Sequence, residues 1–240
     1  MALLRLAGVA RSWRAEGRHY TIAVDDLAIE PGQRIAVTGP SGVGKSTLID
    51  LLALALAPDV AGDFTLTLVA ERVDIAALWR RGGRGRDALA LLRAGIVGYV
   101  PQAGGLLPYL SVEGNISLTQ RLSGRVDGAW TITLAERLGI ADLLARKPAS
   151  LSVGQRQRVA IARALAHRPR LVLADEPTAS VDPERAGAIM DLLVEASGTA
   201  GAALIVASHD QDRLAGRIET RLVPQVEAGP DGTCARFAPC

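Results

Sequence analysis

The chain of 240 residues is long enough for one α/β domain and too short for two domains of ordinary size. Hydrophobic residues make up 49% and charged residues 22%, a balance that provides for a buried core and excludes disorder over most of the length. The 27 basic and 25 acidic residues leave a net charge of only +2, which argues against nucleic acid as a partner.

Membrane-spanning and secreted classes are also disfavoured. The best apolar run, residues 48–57, is interrupted by Asp50 and falls short of the roughly 18 residues needed to cross a bilayer. The first residues lack the basic, apolar and small-residue zones of a secretory signal. The two cysteines, Cys234 and Cys240, frame neither a disulfide scaffold nor a zinc site. The sequence therefore predicts a cytoplasmic protein.

Several short runs of β-branched or aliphatic residues predict buried strands of a mostly parallel sheet covered by helices. Each run stops at a polar or glycine-rich loop, and the runs are 34–38, 95–100, 171–174 and 203–207. In open α/β sheets, ligands bind at the carboxyl ends of the strands. We therefore expect the functional residues at these loops.

The first run leads into a glycine-rich segment that matches G-x-x-x-x-G-K-[ST] and precedes an apolar helix, with the residues Gly39, Pro40, Ser41, Gly42, Val43, Gly44, Lys45, Ser46 and Thr47. Backbone N–H groups of such a loop wrap phosphate oxygens, and the helix start adds its positive dipole end. Lys45 is expected to reach the outer phosphates, and Ser46 to bind Mg²⁺. A plain glycine-rich turn is the alternative, but it leaves unexplained why one of only two lysines stands here.

The middle of the chain changes character. Residues 80–86 hold three glycines among four arginines and predict an exposed loop, solvated rather than bound to an anion or a membrane surface. Beyond Gln102, helical patterns such as 131–144 and 155–166 predict an inserted helical subdomain up to about residue 165. After Pro224 the remainder is too short for a regulatory domain and forms either a strand or a frayed tail.

One predicted helix of this subdomain begins with Leu151-Ser152-Val153-Gly154-Gln155. Ser152 stands at the N-cap, and Gln155 follows three places later, as in a capping box. A well-capped helix is a sufficient structural explanation. A serine hydroxyl and a glycine backbone at a helix start also form an anion site, which is the functional interpretation.

The run 171–174 ends in two adjacent acids, Asp175 and Glu176. Two carboxylates at the tip of a buried strand repel each other unless a cation or a reacting water uses them. Asp175 suits Mg²⁺, and Glu176 suits a general base that deprotonates the attacking water. Acids at strand ends also cap helices, so the pair alone is not specific. It indicates a catalytic site because the same chain also carries the phosphate loop.

The order of these motifs resembles the nucleotide-binding domain of the ATP-binding cassette (ABC) family over nearly the whole length. Residues 39–47 correspond to the Walker A motif of that family, and 171–176 to its Walker B motif with the catalytic glutamate. Residues 151–160 resemble its signature, although Val153 replaces the usual glycine. Residues 106–116 are similar to cassettes of the lipoprotein-release and macrolide-export group.

The resemblance implies an α/β fold of the P-loop NTPase (RecA-like) type. Its mostly parallel sheet core would carry an antiparallel β subdomain and an inserted helical subdomain. One domain would span 1–240, with a catalytic core at 1–102 and 166–223, the helical subdomain with the signature at 103–165, and a short tail at 224–240.

The resemblance also implies roles that spacing alone does not give. Gln102 would sense the γ-phosphate and metal beside the membrane partner, and residues 180–182 would cross a dimer interface. His209 would be the switch histidine, and Trp13 would stack on adenine, with Tyr20 as its competitor. The predicted catalytic residues are Glu176, His209, Gln102 and Lys45; the nucleotide-binding residues are 39–47, Trp13, Ser152, Gly154 and Gln155; the metal ligands are Ser46, Gln102 and Asp175.

The implied function is that of an ATP-hydrolysing subunit that uses ATP and Mg²⁺. It would pair head to tail with a second copy and drive integral membrane subunits from the cytoplasmic face of the inner membrane. A soluble cassette with non-transport work, such as an iron–sulfur assembly ATPase, is the alternative. DNA-repair cassettes are disfavoured because the chain has no coiled-coil insertion or second cassette. A small P-loop kinase or GTPase leaves the signature and His209 without a task.

Overall fold

The structure is a computed structural model that describes residues 1–15, 17–69, 71–102, 104–179, 183–210, 214–218, 220–229 and 232–239, with the backbone alone for 183–185. The strands are β1 (Leu4–Ala15), β2 (Arg18–Ile29), β3 (Arg34–Thr38), β4 (Val60–Thr67), β5 (Arg72–Asp74), β6 (Val97–Val100), β7 (Leu171–Asp175), β8 (Ala203–Ser208), β9 (Thr220–Gly229) and β10 (Gly232–Pro239). The α-helices are α1 (Lys45–Leu52), α2 (Ile75–Arg80), α3 (Gly83–Ile96), α4 (Val112–Ser123), α5 (Gly128–Arg137), α6 (Val153–Leu165) and α7 (Pro183–Thr199).

Within the described residues, these strands form one sheet in the order β5-β4-β1-β2-β10-β9-β3-β8-β7-β6. The half from β9 to β6 is parallel, with β3 between β9 and β8 and β7 between β8 and β6. The half from β5 to β2 is antiparallel. The predicted fold class, a mostly parallel core with an antiparallel part and an inserted helical part, is confirmed.

The hairpin of β9 and β10 joins the two halves of the sheet. β10 pairs with β2 in parallel and with β9 antiparallel, and β9 pairs in turn with β3. The sequence left a strand or a frayed tail open after Pro224. Residues 224–229 and 232–239 lie in the middle of the sheet.

Side chains of the parallel strands alternate between two apolar cores. Leu171 and Leu173 of β7 pack with the face that holds α1, α2 and α3. Val172 and Ala174 point the other way, toward α4, α5, α6 and α7. Because both faces are covered, β7 and β8 are buried along their whole length, which explains their uninterrupted aliphatic sequences.

Several boundaries predicted from sequence are wrong, and the largest differences fall in two elements. The strand expected at 95–100 begins only at Val97, because the last turn of α3 continues to Ile96 and Val97 N–H still bonds to Arg93 O. The helix expected at 131–144 is α5, which starts earlier because Asp127 caps it and ends at Arg137, before Gly139 takes a left-handed φ of 61°. Residues 141–143 form a separate 3₁₀ turn.

The exposed loop expected at 80–86 is a tight connection between two helices, since α2 ends at Arg80 and α3 begins at Gly83. Its four arginines are exposed as predicted. Gly85, however, serves packing: a Cβ atom there would lie 1.8 Å from Leu78 O, so only glycine allows α3 to approach α2 this closely. Among the described residues, no helix has the length and apolar character required to cross a bilayer.

Candidate functional site

A cleft of 520 Å³ opens at the carboxyl ends of β3, β7 and β8, a volume typical of small-molecule sites. The structure brings most of the predicted site residues together there, and the lining consists of Trp13, Pro40, Ser41, Gly42, Gly44, Lys45, Ser46, Thr47, Gln102, Glu176 and His209. Val43 lines a smaller adjoining cavity beside Trp13 and Tyr20. The candidate residues of the described loops therefore lie together at this edge of the sheet, where ligands bind in open α/β folds.

The glycine loop owes its shape to positions that reject a side chain. Gly44 has a φ of 104°, and a Cβ atom there would lie 2.5 Å from Ile22 of β2. Gly39 has a φ of 146°, and its Cβ would lie 2.9 Å from the ring of Pro224 in β9. No described side chain caps α1 at Gly44, so the first backbone N–H groups of this helix are left for an anion.

Lys45 is the only lysine of the sequence that lies in this cleft, and its ammonium group is almost completely buried. Nζ donates hydrogen bonds to Gly39 O and Pro40 O at 2.9 and 3.0 Å. It also lies 3.5 Å from Oε1 of Glu176. The charge is thus held by the loop itself, at the point where a negatively charged group would meet the start of α1.

Asp175 ends β7 and forms a side-chain hydrogen bond with Ser46. Burial raises the pKa of Asp175, and the neighbouring charge of Glu176 raises it further, while a hydrogen bond from Ser46 and the charge of Lys45 act in the opposite direction. Among the described residues, Asp175 Oδ1 is buried without a hydrogen-bond partner. A buried carboxylate oxygen of this kind calls for a cation or a proton.

The donor set fits a hard divalent cation. The Ser46 hydroxyl, the Asp175 carboxylate and the Gln102 amide offer the oxygen ligands that Mg²⁺ prefers. No cluster of three or more His, Cys, Asp or Glu side chains in the described part of the chain could hold a metal alone. A magnesium ion here would therefore complete its coordination with phosphate oxygens and water.

Glu176 is held in an unusual backbone conformation that points its carboxylate into the cleft. Its φ is 45°, which a non-glycine residue rarely adopts, and its N–H donates to Ala207 O at 2.9 Å. Oε2 lies 2.9 Å from Nδ1 of His209, which follows β8. The carboxylate thus meets an imidazole on one side and the Lys45 ammonium on the other, a geometry suited to activating water.

The aromatic residues of the β1–β2 hairpin lie at the mouth of the cleft. The rings of Trp13 and Tyr20 stack with centroids 5.9 Å apart and an angle of 17° between their planes. Trp13 lines the cleft, whereas Tyr20 lines only the adjoining cavity. A base entering the cleft would therefore meet Trp13, with Tyr20 supporting the indole from the far side.

The predicted phosphate-seeking residues of α6 do not join this cleft. Ser152 Oγ accepts from Gln155 N at 3.2 Å, and Gln155 Oε1 accepts from Ser152 N at 2.9 Å, so the capping box is present. Ser152 is exposed, and a Cβ atom at Gly154 would have no described atom within 4 Å. The third implied motif, residues 180–182, lies outside the described residues.

A contact that sequence analysis missed involves Arg163 of α6. Its guanidinium binds the carbonyl groups of Gly104 and Gly105, just beyond Gln102. The sequence signal was weak, because an arginine in an amphipathic helix ordinarily extends into solvent.

A lysine-bearing glycine loop between a buried strand and a helix, facing an acidic pair at the end of another strand of the same sheet, defines a P-loop nucleoside triphosphatase. A family model described as ABC transporter matches residues 24–179, more than half of the chain. The chain belongs to the ABC transporter family, and as a cassette of that family it binds and hydrolyses ATP.

Known relatives agree with this assignment. The chain is 37% identical over 221 residues to the lipoprotein-releasing system ATP-binding protein LolD of Ruegeria pomeroyi, covering 90% of this chain and 92% of that protein. It is 42% identical over 201 residues to LolD of Legionella pneumophila strain Paris, covering 82% and 83%. The dimeric structure of MJ0796, a bacterial ABC transporter cassette, aligns with a TM-score of 0.73 and 26% identity, covering 92% and 93%. These matches favour a transporter ATPase over the soluble alternative.

Proposed function

We propose that two copies of this chain pair head to tail, each ATP being held between the cleft of one copy and the Ser152 helix start of the other. The supporting observation is that Ser152 and Gly154 lie outside the cleft of their own chain yet are open to a second molecule. In this proposal, residues 1–102 and 166–223 form the catalytic core, and residues 103–165 carry the helix start to the partner.

Binding begins at the glycine loop. The backbone N–H groups of 39–47 and the start of α1 would surround the β- and γ-phosphates, and Lys45 would exchange its contact with Glu176 for phosphate oxygens. Trp13 would stack on the adenine ring. Ser152, Gly154 and Gln155 of the partner subunit would close over the γ-phosphate and exclude water.

Hydrolysis would use Glu176 as the general base that takes a proton from the attacking water. His209, at 2.9 Å from the carboxylate, would hold it in place and steady the γ-phosphate, and Gln102 would orient the water from the opposite wall. Bound Mg²⁺, held by Ser46, Asp175 and Gln102, would neutralise charge that develops on the β- and γ-phosphates. Loss of the phosphate contact would let the copies separate.

The membrane-spanning part of the transporter would lie on other chains, and this chain would bind to them from the cytoplasmic face of the inner membrane. Membership in the ABC transporter family supports this arrangement. The names of two relatives at 37% and 42% identity give lipoproteins as the proposed cargo class. The cargo itself would be selected by the membrane subunits.

The test uses Glu176→Gln with saturating ATP and Mg²⁺. Hydrolysis should fall on the order of a hundredfold or more, as expected for the loss of a general base, while ATP still binds. Mass photometry should then detect an ATP-dependent dimer. Glu136→Gln, at an exposed position of α5, is the matched control and should hydrolyse ATP at the parental rate. A Glu176→Gln protein that binds ATP and stays monomeric contradicts the proposal.

The proposed membrane partner is tested in the native host. The protein is isolated from detergent-solubilised membranes, and the copurifying chains are identified by mass spectrometry. An integral membrane subunit in stoichiometric amount supports transport. Copurification with a soluble scaffold alone would contradict the proposal and favour the alternative, an iron–sulfur assembly ATPase.

A further inference from the structure

The β1–β2 hairpin that carries Trp13 extends beyond the strand on its outer side. β4 pairs with β1 only as far as Ala10, which lies opposite Val60. The pairing of β1 with β2 continues to Ala15. Among the described residues, the end of β1 that holds Trp13 therefore has a strand partner on one side alone. Outward-pointing N–H groups of such an edge need another acceptor.

Asp59 supplies this acceptor in place of a strand. Its backbone N–H donates to Ala10 O at 2.9 Å, next to the end of the β1–β4 pairing. Its side chain reaches further along β1: Oδ2 accepts from Ser12 N at 2.7 Å, and Oδ1 accepts from Nη1 of Arg11 at 2.6 Å. One carboxylate thus holds the two residues that directly precede Trp13.

The bond to the backbone is the part of this contact that fixes the strand. Hydrogen bonds to a carboxylate are shorter than neutral ones and roughly twice as strong. The side chains of Arg11 and Asp59 are 31% and 43% exposed, so their ion pair adds little to stability. Toward β2, the hydroxyl groups of Ser12 and Thr21 form a hydrogen bond of 2.9 Å. Ser12 is therefore held from both sides.

The second strand of the hairpin is held in a different way. β10 pairs with β2 in parallel and places Thr233 opposite Tyr20. The stacked rings of Trp13 and Tyr20 are thus supported by a whole strand on the tyrosine side. On the tryptophan side, the support described in the structure is the carboxylate of Asp59.

The loop that contains Asp59 comes directly from the other end of the cleft. Helix α1 begins at Lys45 in the glycine loop and ends at Leu52. The chain then turns back on this helix, because the N–H groups of Ala55 and Leu56 both donate to Asp50 O. Residues 53–59 therefore connect the helix at the glycine loop with the hairpin that carries the aromatic pair.

We infer that Asp59 is a positioning residue that holds Trp13 at the place where an adenine ring would stack. The inference rests on one part of the proposed function, the stacking of adenine on Trp13. Within the described residues, Asp59 does not line the cleft and would act through Trp13 alone. Without the carboxylate, water would bind the Ser12 N–H and the indole would lose its fixed orientation, while the glycine loop would keep its shape.

The experiment compares two ligands of the monomer that the protein does not hydrolyse. ADP carries the adenine ring, and inorganic pyrophosphate lacks it. Calorimetry with Mg²⁺ measures ADP directly and pyrophosphate by competition. Asp59→Ala should weaken ADP binding about fivefold, the effect of one hydrogen bond, and leave pyrophosphate within about twofold. Asp59→Asn should be intermediate, because its amide oxygen still accepts from Ser12 N but lacks the charge.

Trp13→Ala shows whether Asp59 acts through the indole. This variant should weaken ADP binding about tenfold or more, as expected for the loss of base stacking. Adding Asp59→Ala to it should cause no further loss, because no ring is left to position. Asp63→Ala is the matched control: Asp63 lies on β4 and pairs with Arg72 and Arg5 at 2.7 and 3.5 Å. It should bind ADP as the parent does.

Three results overturn the inference. They are parental ADP affinity in Asp59→Ala, an equal loss for ADP and pyrophosphate, and a loss that persists in full when Trp13 is already alanine. If Asp59→Ala fails to fold, as judged by its thermal midpoint, Asp59→Asn decides: weaker ADP binding with unchanged pyrophosphate binding supports the inference, and parental values for both overturn it. Parental ADP affinity in Trp13→Ala is a distinct result, because it refutes the proposed stacking and with it this inference.

Discussion

The chain contains two helix starts that are candidates for binding phosphate, and they differ in how their first backbone N–H groups are satisfied. The start of α1 has no described side-chain cap, carries Lys45 and opens into a concave cleft. The start of α6 is capped by its own Ser152 and Gln155 and lies exposed. In the proposed dimer, the first start belongs to a cleft formed within one chain, and the second closes the cleft of the partner. This difference favours a nucleotide shared between two copies.

The largest expected effect comes from removing the lysine at the start of α1. Lys45→Ala should lower ATP hydrolysis on the order of a hundredfold to a thousandfold, because the buried cation that meets the phosphates is lost. Lys147→Ala removes the other lysine of the sequence, at an exposed position, and should keep full activity. Steady-state phosphate release measures both. Equal rates of phosphate release for the two variants would show that the phosphates of ATP do not bind at Lys45.

His167, just beyond the end of α6, allows a substitution that should affect neither the start of α1 nor the start of α6. Burial, together with the charge of Arg125, lowers the pKa of His167 to about 4. Because the unfolded chain takes up this proton near pH 6.5, the unfolded state binds more protons between these values. This contribution to stability is present above pH 6.5 and is lost as the pH falls toward 4, on the order of 3 kcal/mol in all.

His167→Leu should therefore flatten part of the acid dependence of the free energy of unfolding without changing ATP affinity. Urea unfolding at pH 7.5 and 4.5 gives the slope for parent and variant. His19→Gln, at an exposed position in β2, should leave the slope as in the parent. A His167→Leu protein with the parental slope would contradict the buried, neutral state of this imidazole.

Ser152→Ala tests the half-site directly. Turnover should fall about tenfold, the effect of one hydrogen bond to a charged group, with ATP binding to the monomer unchanged. The free energy of unfolding should also drop by about 1 kcal/mol, because the cap is lost. Asp74 caps α2, and its carboxylate accepts a hydrogen bond from Ala77 N at 2.8 Å. Asp74→Ala should lower the free energy of unfolding and leave turnover unchanged. If both variants lost activity to the same extent, Ser152 would act only as a helix cap.

The smallest effect has opposite signs in stability and activity. Gly154→Ala should raise the free energy of unfolding by about 0.5 kcal/mol, since alanine favours a helix and its Cβ meets nothing in the described chain. Turnover should fall a few-fold, because the partner's nucleotide needs close backbone approach. Gly128→Ala, at the equally open first turn of α5, should change stability only. Unchanged turnover in Gly154→Ala would show that this glycine does not contact the nucleotide bound by the partner.

Sequence was most informative where a local pattern had only one structural context. The buried runs of β3, β7 and β8 and the glycine loop after β3 were predicted at nearly their observed positions, since periodicity and turn chemistry act over a few residues. Residues 80–86 were misjudged because glycine indicates a turn as readily as a close helix contact, and only the packed structure puts Gly85 against Leu78. Arg163 escaped notice because its partners are 58 and 59 positions away.

The position of the β9–β10 hairpin has a consequence for how the molecule assembles during synthesis. These two strands follow every other described element in chain order, yet they lie between β2 and β3 and supply Pro224 beside Gly39. Until they emerge from the ribosome, the two halves of the sheet have unpaired edges facing each other, and the glycine loop lacks one wall. A nascent chain arrested before residue 220 should therefore be unable to retain nucleotide, however complete its motifs.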